Sequence, residues 1–254
     1  MATSAADAKQ NAPSNLPLFY KNPAPLEAEK HAKMGLKPNF GLAFTQNVNA
    51  VPINMIEMAQ VCHYYPIAFS PDAHATPVAI MGLRDSENLF LNSAGEWLAD
   101  TYIPAYIRRY PFIFSEVPGT DQLTLCADMD PQFINDNAEQ KFFETDGKPT
   151  QLAQNALEFC KSYHAAAQQT LAFSKALVEN DLLIDRAAEI NIGNGKQIKF
   201  SGFRIIDETK LANLSNEKFL EFRKNGWLPF IYAHLFSGGQ WQHLVRLLQA
   251  RVGN

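Results

Sequence analysis

Between residues 150 and 180, Leu152, Ala156, Phe159, Tyr163, Ala167, Leu171, Ser174 and Leu177 recur at helical spacing, and Thr150 stands where a capping side chain belongs. This pattern predicts one long helix with a single packed face. Its place in the chain constrains the fold more than any other feature. Short strand-like runs cluster ahead of it, a hairpin pattern follows it, and helical spacing dominates the end. That order implies an α+β fold, with an antiparallel sheet built from a meander and hairpins and packed with one long and several short helices. It does not fit the regular alternation of a parallel sheet.

Ahead of the long helix, Pro17, Pro23, Pro25, Pro38 and Pro52 recur too often for a helix and predict an extended arm wrapped around the body. Residues 53–63 then read as a short helix. Residues 66–70, 77–83 and 88–92 read as a meander, 100–110 as a helix, and 112–117 with 122–127 as a hairpin around Pro118, Gly119, Thr120 and Asp121. After the long helix, 188–192 and 196–207 flank Gly193-Asn194-Gly195, a tight-turn signal. The apolar alternation changes phase between Phe200 and Phe203, which predicts a bulge at Gly202. Ser215 caps a helix through Arg223, with Leu214 and Phe219 at staple positions and Gly226 beyond its end, and 227–252 reads as two helices joined at Gly238-Gly239. Residues 1–15 carry few large apolar side chains and read as a flexible leader, ahead of a single domain over 16–254.

The 22 basic residues against 26 acidic ones give a net charge of -4, so no global positive field exists to draw in a nucleic acid. No apolar stretch approaches the roughly 20 residues of a transmembrane helix, and the start lacks a signal-peptide core; a cytoplasmic protein without a transmembrane segment is expected. Cys62, Cys126 and Cys160 are too widely spaced for a metal or disulfide framework and read as buried thiols.

The motifs of nucleotide-binding loops, nucleophile elbows and helical zinc proteases are absent, and no catalytic residue, cofactor or metal is assigned. Asp72-Ala73-His74 reads as a solvated turn, Cys62-His63 as core packing, and Asp128 with Asp130 as a loop start. Two groups stand out. Arg84, Asp85, Glu87 and Asn88 are denser in polar function than a short turn needs; they suit a site for a carboxylate or peptide and equally an internal ion-pair network. Arg108 and Arg109 lie beside Tyr102, Tyr106 and Tyr110, which share four-residue spacing; such a stripe is half-buried packing or a stacking surface. Together, Arg84, Asp85, Glu87, Asn88, Tyr102, Tyr106, Arg108 and Arg109 form the candidate surface for a protein or peptide partner.

Five longer phrases carry a resemblance: FYKNPAPL at 19–26, YPIAF at 65–69, PVAIMGLRDSENLF at 77–90, YIPAYIRRYPF at 102–112 and IYAHL at 231–235. In this order they closely resemble the SapC family of bacterial proteins, over nearly everything after the leader. The resemblance implies a soluble accessory role in the transport or presentation of surface-layer proteins. Members of the family also occur beside outer-membrane receptors and halogenase-like and oxygenase-like proteins. That implies a second reading, a component of a peptide or small-molecule modification pathway, either as a binding partner or as an enzyme of unidentified activity. The family supplies no catalytic residues to carry over, and oligomeric state stays open.

Overall fold

The computed structural model describes residues 16–116, 119, 122–193 and 196–252. The leader, most of the turn at 118–121 and Asn194-Gly195 lie outside the described residues. The arm contributes β1 (Pro23–Pro25), α1 (Ala28–His31), β2 (Gly35–Leu36) and β3 (Ala50–Pro52). A 3-10 turn over Met55–Glu57 leads into α2 (Met58–Val61), then β4 (Ile67–Phe69), β5 (Pro77–Ile80), α3 (Ala105–Arg109), β6 (Phe112–Glu116), β7 (Leu123–Asp128), β8 (Ile134–Asn135) and β9 (Gln140–Lys141). The long helix α4 (Gln151–Glu179) is followed by the hairpin β10 (Leu183–Gly193) and β11 (Lys196–Ile206). Four helices close the described chain: α5 (Glu208–Ala212), α6 (Asn216–Lys224), α7 (Leu228–Phe236) and α8 (Gln240–Val252).

Among the described residues, all strand pairs are antiparallel and form three small sheets, ordered β1-β7-β6, β10-β11-β4-β5-β3 and β8-β2-β9. This is the α+β architecture expected from the order of the sequence signals. Pro23 and Pro25 sit on an edge strand, where a residue without a backbone donor does least harm. In the hairpin, Arg186 faces Phe203 while Ala187 faces Ser201, so Gly202 is the inserted residue; it holds φ at +84°, which a side chain would resist.

The long helix joins two cores. Its first half packs Ala156 and Cys160 with Leu36, Phe112, Ala127, Ile134 and Phe142. Its second half packs Phe173, Ala176 and Leu177 into the larger cluster around Tyr65, Phe69, Phe90 and Phe222. Two hydroxyls on α4 tie down neighbouring loops: Thr170 Oγ1 accepts the Met55 N–H at 2.8 Å, and Ser174 Oγ donates to the Ala75 carbonyl at 2.9 Å. At its start, Thr150 Oγ1 accepts from the Ala153 N–H at 3.4 Å and donates to the Lys141 carbonyl at 2.7 Å. Thr150→Ala is expected to lower stability by about 1 kcal/mol, a melting shift of about 3 °C, and Thr150→Ser to restore most of it in thermal unfolding.

Several expectations need correction. Residues 88–92 form no strand; β4 and β5 find their third partner in β3, from the arm. Only Ala105–Arg109 is helical within 100–110, so Tyr102 precedes the helix and Tyr110 follows it in extended backbone. Leu171 is exposed, and the buried line of α4 runs instead through Ala166, Thr170 and Phe173. Cys62 is half-buried and His63 exposed, so that pair is not core.

Candidate functional site

The bulge at Gly202 bends β11, and the bent run borders a groove of about 650 Å³. Every residue from Ile198 to Phe203 lines it, facing Ala50, Val78, Ile80 and Leu83, with Arg84 and Asp85 among the polar lining. Ile198, Lys199, Phe200 and Ser201 pair with β10 on one side; on the other, β11 pairs with β4 only at Arg204 and Phe69. Among the described residues, a stretch of strand therefore has one edge without a neighbouring strand, and that stretch walls a concave surface with an apolar floor.

Arg84 and Asp85 are exposed. The Arg84 guanidinium makes a fork on Glu87: Nε donates to Oε2 at 3.0 Å and Nη2 donates to Oε1. Asn88 is buried and fully engaged, with Nδ2 donating to Thr45 Oγ1 at 3.1 Å and Oδ1 accepting the Phe90 N–H at 2.9 Å. Arg251, from the last turn of α8, donates to the Asn88 carbonyl at 2.9 Å. The polar cluster thus divides: Arg84 and Asp85 border the groove, Glu87 orients Arg84, and Asn88 holds the loop beneath them.

The other four candidates lie together around α3. Glu57 is buried, and its Oε1 accepts from Tyr102 Oη at 2.8 Å and from the Ala105 N–H at 2.7 Å, while Oε2 accepts from the Asn54 N–H at 3.0 Å. Burial, with the Glu57 carboxylate beside it, pushes Tyr102 up to about 12. Arg108 donates to Tyr102 Oη at 3.1 Å and lies 5.4 Å from the centre of the Phe159 ring. Tyr106 donates to the Leu18 carbonyl at 3.1 Å, and Arg109 is enclosed by Tyr20, Tyr106 and Tyr163. No hydrogen bond, ion pair or ring contact joins this group to Arg84, Asp85, Glu87 or Asn88 among the described residues.

The family model for SapC matches residues 26–244 of the 254. The chain belongs to the SapC family. No curated protein and no solved structure matches it. The match takes in the groove, the Arg84 loop and the α3 tyrosines, so both candidate regions of this SapC chain lie inside the family's shared part. Among the described residues, no helix is long and apolar enough to cross a membrane, and no three His, Cys, Asp or Glu side chains converge as metal ligands would.

Three features were missed at the sequence level. Glu57 carried a signal, the Asn54 to Glu57 capping box, which the structure completes. The Arg109 cage had none, because Tyr20 and Tyr163 come from the arm and from α4. Leu220, Tyr232 and Phe236 stay exposed on α6 and α7, with the rings of Tyr232 and Phe236 stacked at 6.5 Å.

Proposed function

We propose that this SapC chain binds a short, extended segment of a polypeptide partner, as an accessory factor in surface-layer or envelope-related transport. The observation that carries the reading is the run Ile198–Phe203, which lines the groove and, apart from the bulge residue Gly202, pairs with β10 on one side and with no strand on the other among the described residues. Such an edge binds an incoming strand through backbone hydrogen bonds, while pockets beside it select alternate side chains. Here the pockets would be lined by Ala50, Val78, Ile80 and Leu83, which favour small or apolar side chains, and Asp85 and Lys199 supply charges of both signs. The bulge interrupts the edge, which disfavours long in-register pairing with a second copy and leaves room for a segment of about four residues. The resemblance to the family, rather than the geometry, supplies the transport context.

Selection of displayed peptides on the full chain tests the reading. Selected peptides are expected to slow amide exchange between 198 and 203, and the double variant Asp85→Arg with Lys199→Glu to weaken them by about tenfold, the effect of roughly 1.4 kcal/mol. Both side chains are exposed, so the variant keeps its fold. Protection confined to another segment, or unchanged affinity in the variant, would remove the groove from consideration.

A further inference from the structure

Arg109 lies where the two cores meet, its guanidinium carbon 4.3 Å from the ring centre of Tyr163, 4.9 Å from that of Tyr106 and 5.7 Å from that of Tyr20. Rings stabilise a cation through their faces, but a guanidinium is a fork of donors that seeks an anion. None is supplied. The groups acting on Arg109 are the three tyrosines, whose hydroxyls burial holds protonated, and the Cys160 thiol; the Tyr20 and Tyr106 hydroxyls lie within hydrogen-bond reach of the guanidinium, but neither carries a charge. No carboxylate reaches ion-pair distance among the described residues, and Nε is buried without a hydrogen-bond partner. A half-buried cation without an anionic partner is costly.

The same side chain lines a cavity of about 330 Å³, at the small end of ligand pockets. Its walls include Leu36, Phe112, Leu152 and Phe159, and Arg108 lines it beside Arg109. Positive charge set in an apolar wall suits an anion of single charge with an apolar body. A phosphate brings more charge and more oxygen atoms than this lining can satisfy.

We propose that this pocket binds a small carboxylic acid, its carboxylate on the Arg109 guanidinium and its apolar body against Leu36, Phe112, Leu152 and Phe159. The pocket shares no lining residue with the groove along β11, so this site stands or falls independently of polypeptide binding.

Titration calorimetry on the full chain with 3-phenylpropionate and octanoate, each beside its primary amide, tests the proposal. At least one acid is expected to bind, with its amide weaker by about tenfold or more, the scale of a charge-assisted hydrogen bond. Asn155 is exposed on α4 and lines the pocket, so Asn155→Trp obstructs it without disturbing the core. That variant is expected to melt like the parent and to bind the acid about tenfold more weakly or worse, on the same scale. Arg109→Met is expected to lose the preference of acid over amide. Failure of both acids to bind, equal affinity for acid and amide, or unchanged affinity in Asn155→Trp would overturn the proposal. Tighter binding of a peptide ending in a free Phe carboxylate than of 3-phenylpropionate would overturn it in favour of a chain terminus as the ligand.

Discussion

Asp128→Ala is expected to lower the stability of the chain by about 4 kcal/mol and its melting temperature by about 10 °C. Asp128 ends β7 and is fully buried. Its Oδ1 accepts the backbone N–H groups of Lys21 at 3.1 Å and Asn22 at 2.5 Å, and its Oδ2 accepts from Tyr110 Oη at 2.9 Å. One carboxylate therefore fixes the arm just before β1 and the residue that leaves α3. Truncation takes the acceptor from three donors: the Tyr110 hydroxyl is buried and the Lys21 and Asn22 N–H groups are part-buried; each costs up to about 1–3 kcal/mol, with incomplete additivity because they share one acceptor. Asp128→Asn keeps the volume and an acceptor oxygen, and about half the loss is expected from it. Thermal unfolding measures the size of the effect, and amide exchange locates it, since residues 20–26 should exchange faster in the alanine variant. A variant that melts within about 1 °C of the parent, which is below 1 kcal/mol for a chain of this size, would show that the arm is held by β1 pairing alone.

The contrast between what the residues disclosed and what they concealed follows the range of the forces involved. The helix from Gln151 was legible because its cap and its period are local. Its packed face was misread at Leu171 because the buried line is built from small and polar side chains, Ala166, Thr170 and Ser174, that fit close against the Met55 and Ala75 backbones. The hairpin and its bulge were legible from an Asn-Gly turn and a phase change. The strand at 88–92 was not there to find, since its apolar run is held by single contacts to distant places: the Asn88 N–H on the Gln46 carbonyl, the Leu89 N–H on the Met81 carbonyl and Arg251 on the Leu91 carbonyl. The true third strand, Ala50–Pro52, is three residues long and too short to show a period. The same division runs through the candidate residues. Arg84 and Arg109 were visible as unusual cations, but pairing on Glu87 for one and enclosure by three tyrosines for the other depend on convergence across the chain.

Acid should weaken the fold through one histidine. His234 lies on α7, 5% exposed, with its ring 5.2 Å from that of Phe69. Nε2 accepts the Ile206 N–H at 3.1 Å, so the ring is an acceptor on that side, and a proton placed there would set donor against donor. Burial pushes its pKa down from the ordinary 6.5 to about 4. The unfolded chain then takes up a proton near pH 6.5 that the folded chain refuses until about pH 4. Stability is complete above the unfolded value and falls with pH across that window, by about 2 kcal/mol at pH 5 and about 3 kcal/mol at pH 4. His243, whose pKa burial and Arg246 also hold down, contributes in the same direction from α8, so the parent curve alone does not isolate His234. His234→Gln does, because the amide oxygen accepts from Ile206 and does not titrate. Urea unfolding at pH 7 and pH 5 should show the parent losing about 2 kcal/mol more than the variant between the two conditions. Equal losses would mean that His234 is already protonated in the folded state at pH 5, and that α7 meets β11 through a charge the packing around Phe69 does not provide for.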